Sequence, residues 1–173
     1  MIRKKICLLG SFAVGKTSLV RRFVHSIFSE RYHTTVGVKI DKKTVQVRVD
    51  DGELTEVSLV IWDVQGEDRF QSIPSNYYRG SSGLLLVADG TRPTTLESAI
   101  EIAETASECI GKDVPQRLLL NKGDLVAKWE VPAPELIRKV DPALEPRVTS
   151  AKTGASVDDA FREITRSLLM GEA

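Results

Sequence analysis

Gly10-Ser11-Phe12-Ala13-Val14-Gly15-Lys16-Thr17 is the stretch on which the reading of this chain turns. It fits the pattern GxxxxGK[ST] and directly follows the apolar run Ile6-Cys7-Leu8-Leu9. Leu19, Val20 and Phe23 recur downstream at helical spacing, so the stretch joins a strand to an amphipathic helix. Glycines in such a loop let backbone amides curl around phosphates, while Lys16 reaches the outer two and the Thr17 hydroxyl takes one site on magnesium. The pattern implies a bound nucleoside triphosphate with Mg2+, contacted by Gly10, Ala13, Val14, Gly15, Lys16, Thr17 and Ser18.

Composition bounds the setting. With 173 residues, 42% of them hydrophobic, the chain is long enough to bury a full core, and one α/β domain over residues 1–173 is expected. Its 24 basic and 24 acidic residues cancel without any long run of like charge, which argues against nucleic acid as a partner. Cys7 falls in an apolar strand and Cys109 at the end of a helical stretch, so both read as core thiols in a reducing, cytoplasmic setting. No apolar run approaches the roughly eighteen residues of a membrane span, and Met1-Ile2-Arg3-Lys4-Lys5 leads into a strand too short for a signal peptide.

Apolar runs alternate with segments of helical period, the signature of a mostly parallel sheet with helices on both faces. Strands are expected at Ile2 to Leu9, Val38 to Val49, Leu54 to Trp62, Gly83 to Ala88, Gln116 to Leu120 and Arg147 to Thr149. Asp50-Asp51-Gly52-Glu53 is a hairpin signal, so the second and third strands form one antiparallel pair at the sheet edge. Helices are expected at Lys16 to His25, near Asp68 to Arg79, Leu96 to Ile110, Pro134 to Val140 and Val157 to Leu169.

Ligands of such sheets sit beyond the carboxyl ends of the strands, where the residues converge on one chemistry. Asp63-Val64-Gln65-Gly66 is a DxxG arrangement in which Asp63 can hold magnesium through water and the Gly66 amide can meet a γ-phosphate. In Asn121-Lys122-Gly123-Asp124 the Asp124 carboxylate can accept two N–H bonds from guanine, a pairing adenine cannot supply, so the nucleotide is GTP or GDP. Ser150-Ala151-Lys152 would bring a backbone amide to the guanine carbonyl oxygen.

With these motifs in order along nearly the whole chain, the sequence resembles the small GTPases of the Ras superfamily, most closely the Rab branch. Trp62-Asp63, Asn76-Tyr77-Tyr78-Arg79-Gly80 and Thr149-Ser150-Ala151-Lys152-Thr153-Gly154 carry the Rab-type likeness. The resemblance implies the P-loop NTPase (small G-protein) fold. It also implies that Phe28 packs on the guanine, the alternative being a core aromatic, and that Thr35 ligates magnesium only with GTP bound, the alternative being a loop threonine. Metal ligation then falls to Thr17, Thr35 and Asp63, and catalysis to Lys16, Thr35, Gly66 and Glu67. Two loops, about Ser29 to Lys39 and Val64 to Tyr78, would read out the γ-phosphate and meet an effector protein, with an exchange factor and a GTPase-activating protein as further partners. Trp62, Phe70 and Tyr77 would form an aromatic part of that surface; the alternative is that Trp62 and Tyr77 fill the core beneath it.

The chain departs from the family pattern at several positions. Glu67 stands where glutamine usually orients the attacking water. A carboxylate at ~6 Å from a phosphate charge, at an effective dielectric of ~20, is repelled by about 3 kcal/mol per charge pair. Phe12 stands where many relatives have glycine or serine, so that its ring obstructs an activator's arginine, unless it points aside against residues 68 to 72. Val64 and Gln65 replace threonine and alanine in a stretch that contributes mainly backbone. No terminal cysteine motif follows Met170 and Ile2 excludes N-myristoylation, so no membrane anchor is expected; a soluble relative, bacterial for instance, and a domain trimmed of its tail both fit. His25 and His33 offer no metal spacing. A slow GTP-hydrolysing switch is the leading expectation, a GTP-binding module without hydrolysis the rival, and a P-loop kinase or ATPase is disfavoured by Asp124.

Overall fold

The computed structural model describes residues 1–32, 34–49, 52–66, 73–111 and 113–171. Its strands are β1 (Ile2–Leu9), β2 (Val38–Arg48), β3 (Leu54–Val64), β4 (Gly83–Asp89), β5 (Gln116–Asn121) and β6 (Arg147–Val148). Its helices are α1 (Lys16–His25), α2 (Pro93–Ile110), α3 (Pro134–Val140) and α4 (Val157–Met170). Among the described residues these strands form one six-stranded sheet in the order β2-β3-β1-β4-β5-β6. β2 runs antiparallel to β3, and the remaining pairs are parallel, as the alternation of strand and helix patterns predicts.

Side chains alternate across the pleat, so the inner strands β1, β3, β4 and β5 each feed two cores. Ile6 and Leu8 of β1 join Leu85, Val87 and Leu119 beneath α1 and α4, while Cys7 and Leu9 join Leu84, Leu86, Leu118 and Leu120 beneath α2 and α3. Every residue of β4 is buried, as befits a strand covered on both faces. Under the first pair of helices, Phe23 of α1 stacks on Phe161 of α4 with ring centroids 4.0 Å apart and planes at 5°. The free edge of β2 is not bare: Arg162 and Arg166 of α4 donate to the carbonyls of Gln46 and Arg48 at 2.6 and 3.1 Å. Those guanidiniums occupy acceptors that a foreign strand would need.

The expected boundaries shift in a consistent way. β3, β4 and β5 run one or two residues further at their carboxyl ends, because Val38 pairs with Val64, Lys39 with Asp63 and Asp89 with Asn121. Asp63 and Asn121 therefore stand on strand ends, not in the loops beyond. β2 and β6 each stop one residue early, and α2 starts at Pro93, whose missing N–H is harmless at a helix start. The helix expected near Asp68 to Arg79 is not continuous: residues 68 to 72 lie outside the described residues, and the rest holds one 3₁₀ turn, Ser75–Tyr77. Pro74 accounts for this, since its ψ of 128° is extended and proline disfavours helix in the residue before it. At the hairpin, Gly52 takes a φ of 78° and donates to the Val49 carbonyl at 2.8 Å, while Asp50 and Asp51 lie outside the described residues.

Both neighbours of β1 are reached by chain leaving it in opposite directions, toward β3 on one side and β4 on the other. The crevice at such a reversal of strand order is where ligands of open α/β sheets bind, and the Gly10–Thr17 loop opens directly into it. At its edge Asp89, the last residue of β4, is 1% exposed and accepts from Lys122 at 2.7 Å, from the Thr91 N–H at 2.9 Å and hydroxyl at 2.7 Å, and from Arg92 at 3.0 Å. Burial alone would push the Asp89 carboxyl up, but the bonds from Lys122, Thr91 and Arg92 outweigh it and hold the group below its ordinary range.

Two stability measurements follow from this packing. Phe161→Ala removes a fully buried ring that joins two helices, so urea unfolding should lose about 3–5 kcal/mol; a loss under ~1 kcal/mol would mean that α1 and α4 pack independently. Asp89 has a folded-state pKa below its unfolded value of ~3.9, so its contribution is complete above that pH and fades as the pH falls through the depressed folded value. Asp89→Asn should therefore be less stable than the parent at pH 7, and the two urea midpoints should converge in acid; a gap independent of pH would contradict this.

Candidate nucleotide-binding site

The Gly10–Thr17 loop, the 121–125 and 151–152 segments and residues between 28 and 36 enclose a cavity of about 590 Å³. Its size suits a small ligand of nucleotide dimensions. At one end, α1 starts at Lys16 behind Gly15, whose φ of 101° is left-handed. A Cβ there would stand 2.3 Å from Asn121 Nδ2, so glycine is required by both conformation and space. Lys16 is 6% exposed and donates to the carbonyls of Gly10 and Ser11 at 2.8 and 2.9 Å, which bends it back over its own loop. Ala13, Gly15, Lys16, Thr17 and Ser18 line the cavity, while Gly10 and Val14 stand behind them as buried supports.

Beside the loop three oxygens converge. Thr17 Oγ1 lies 2.7 Å from Thr35 Oγ1 and donates to Asp63 Oδ2 at 2.6 Å. Asp63 is 1% exposed, its Oδ1 is buried without a hydrogen-bond partner, and burial raises its pKa against the opposing pull of Thr17 and Lys16. An all-oxygen set with one orphaned carboxylate oxygen fits a hard cation such as Mg2+, which takes oxygen ligands and keeps several waters. Gly66 lines the same wall: a Cβ on it would meet Phe12 N and Cα at 2.6 Å, so its backbone lies directly on the phosphate loop. Glu67, Phe70 and His33 lie outside the described residues.

At the opposite end Phe28, Asn121, Lys122, Asp124, Ala151 and Lys152 line the cavity. Phe28 also packs on the core cluster beneath α1 and α4, so the ring both lines the cavity and belongs to the edge of the core. Asn121 Nδ2 donates to the Val14 carbonyl at 3.0 Å, and its Oδ1 accepts from Ala151 N–H at 3.2 Å. Ser150 is buried and does not line the cavity; its hydroxyl donates to Asp124 Oδ1 at 2.6 Å and so orients that carboxylate.

Several contacts were not foreseen. Asp89 anchors Lys122, and the signal was present in Ala88-Asp89-Gly90, a carboxylate closing an apolar run like those before Asp63 and Asn121. Tyr32 meets Phe12 edge-to-face at 5.1 Å, and Arg92 donates to the Phe12 carbonyl at 3.0 Å. Phe12 is 43% exposed and lines the cavity, so its ring sits at the cavity rim with an aromatic partner. Gln65 does more than supply backbone, since its Oε1 accepts from Gly37 N–H at 2.8 Å while its own N–H donates to the Gly37 carbonyl at 2.9 Å. Trp62 and Tyr77 are half-buried against the core under α2 and α3, and Lys5 sits over the Trp62 ring while donating to the Tyr77 carbonyl.

Comparison with known proteins agrees with this geometry. The Ras family matches residues 5–170. The chain is 34% identical to Ras-related protein Rab-13 of Canis lupus familiaris, across 96% of this chain and 80% of that protein. It is 32% identical to Ras-related protein Rab-8B of Homo sapiens, across 95% and 78%, and 36% identical to Ras-related protein Rab-1 of Theileria annulata, across 95% and 73%. With the Gly10–Thr17 loop, the oxygen cluster and the 121–125 and 151–152 segments gathered at the switch point of one sheet, the chain belongs to the Ras family, as a Rab-like small GTPase.

Proposed function

We propose that this chain is a single-domain GTP/GDP switch that hydrolyses GTP slowly and signals through loops 29–39 and 64–78. The observation that carries the reading is the Thr17–Thr35–Asp63 cluster, because it ties one of those loops to the metal position beside the phosphate loop. Lys16 and the backbone of residues 13–18 hold the phosphates, and Asp124, Ala151 and Lys152 read guanine against the Phe28 ring. Magnesium, when bound, neutralises charge on the phosphate oxygens. Thr35 and the Gly66 N–H sense the γ-phosphate, and its loss frees both loops. An effector protein would read the ordered loops, and an exchange factor and a GTPase-activating protein would set the state. A cytoplasmic setting is supported by the free thiols Cys7 and Cys109. Among the described residues no helix is long and apolar enough to cross a membrane.

A second reading, a GTP-binding interaction module without hydrolysis, draws on the Phe12–Tyr32 pair, which crowds the phosphate rim, and on the negative charge of Glu67.

Identification of the nucleotide that survives purification, followed by single-turnover phosphate release over hours, separates the two. GDP in the preparation with slow phosphate release is expected; GTP that stays intact would leave only the binding module. Glu67→Gln should change the rate roughly tenfold or more, and an unchanged rate would remove Glu67 from the chemistry. An arginine-supplying activator should stimulate the parent weakly and Phe12→Gly by on the order of 10³; equal, strong stimulation of both would show that Phe12 obstructs nothing.

A further inference from the structure

We propose that Arg22 is a positioning residue for base recognition, which from α1 sets the two peptide planes of the loop facing the purine. The inference rests on the reading of the cavity as a guanine-nucleotide site. Arg22 Nε donates to the Ala151 carbonyl at 2.8 Å and Nη2 donates to the Lys152 carbonyl at 2.5 Å, with Nη1 3.5 Å from the Ser26 carbonyl. The guanidinium thus grips two successive carbonyls of one loop while closing on the end of its own helix.

The consequence follows from peptide planarity. Every peptide bond described is trans, and in a trans peptide the carbonyl and the N–H point in opposite directions. With the Ala151 carbonyl turned to Arg22, the Lys152 N–H of the same peptide is turned away from Arg22. With the Lys152 carbonyl held likewise, the Thr153 N–H is turned to Ser150 Oγ, which it meets at 3.1 Å. Ser150 Oγ in turn donates to Asp124 Oδ1 at 2.6 Å. Ala151, Lys152 and Asp124 line the cavity, whereas Arg22 does not. One guanidinium behind the loop therefore governs both a backbone donor suited to the purine 6-oxygen and the orientation of the carboxylate suited to the ring N–H groups. A planar fork of N–H donors with fixed geometry matches two adjacent carbonyls, and a lysine ammonium does not. Because α1 also carries Lys16, the phosphate and base ends are referred to one rigid helix.

Equilibrium binding of GDP, ADP and the diphosphate of 2-aminopurine riboside, which keeps the 2-amino group and lacks the 6-oxygen together with the N1–H, tests this. The parent should prefer GDP over both. Arg22→Ala should lower the ratio of GDP to 2-aminopurine affinity roughly tenfold, the scale of one well-placed hydrogen bond, and Arg22→Lys should recover only part of it. A ratio equal to the parent's in both variants, whatever the change in absolute affinity or melting temperature, would overturn the positioning role. If Arg22→Ala does not fold, Arg22→Lys carries the same comparison. A parent that fails to prefer GDP over ADP would instead overturn the guanine reading beneath it.

Discussion

The Asn121 carboxamide is the contact on which the site depends, because it joins the two ends of the cavity directly. Its Nδ2 holds the Val14 carbonyl at 3.0 Å, and its Oδ1 accepts from the Thr149 hydroxyl at 3.3 Å and from Ala151 N–H at 3.2 Å. An amide offers a donor and an acceptor on one rigid plane, which a carboxylate in the same place would not. The geometry is possible only because Gly15 has no side chain where Asn121 Nδ2 stands. Asn121 is 2% exposed, so losing either partner would leave a polar group buried and unsatisfied, at about 1–3 kcal/mol. Its place as the last residue of β5, paired with Asp89 of the neighbouring β4, fixes the carboxamide relative to the Asp89–Lys122 pair as well. The Gly10–Thr17 loop, the 149–151 segment and the sheet edge are therefore one hydrogen-bonded unit.

Much of this is legible in the sequence itself. The Gly10–Thr17 loop, the antiparallel β2–β3 pair and the sheet with helices on both faces follow from local patterns: strand period, helix period and turn residues. The bounds of α1 and α3 agree with those patterns because Gly15 and the αL Ser26 flank one helix, and Pro134 opens the other. What was not legible is what depends on contacts between distant residues. Strand ends moved because cross-strand pairing, as of Lys39 with Asp63, continues past the last apolar residue. The segment before Arg79 lost its helical period to the local veto of Pro74. Arg22 reaches its partners across about 130 residues of chain, and a basic residue on an amphipathic helix is indistinguishable in sequence from a solvated one. Gln65 illustrates the same point at short range, since its side-chain role depends on where Gly37 lies across the β2–β3 pair.

The energetic contrast between the sheet and the loops bears on how a switch can work here. The sheet side is closed by two full hydrophobic clusters, and opening it means exposing side chains such as Leu85, Leu118 and Phe161, each fully buried. Full burial of one such side chain is worth about 1.5–3 kcal/mol. The loop side is held differently: by the Thr17–Thr35 hydroxyl contact, the paired Gly37–Gln65 bonds and the Phe12–Tyr32 ring contact. Val36 is 86% exposed and Tyr32 56% exposed, so little apolar area resists movement. Net contributions of about 0.5–1.5 kcal/mol per hydrogen bond put this clasp within reach of the differential binding energy of a single phosphate group. On the proposed switch reading, a ligand would have to rearrange only these loops and not the sheet, the separation of stabilities that switching segments require.

Gln65 and Phe12 shift that balance in the same direction. The two Gly37–Gln65 bonds extend the β2–β3 pairing past Val64 and anchor the 34–37 segment from its carboxyl side without any help from nucleotide. Phe12 anchors the same segment from its amino side through Tyr32, and Arg92 steadies Phe12 by its carbonyl. Both contacts are made by the protein alone, so on the proposed switch reading they favour this arrangement of the segment without drawing on the nucleotide. Such uniform terms raise the population of the ordered loop and reduce the contrast between the two nucleotide states. On the proposed switch reading, the contrast between nucleotide states would fall to Thr35 and Gly66, which stand beside the Thr17–Asp63 oxygen cluster and the Gly10–Thr17 loop.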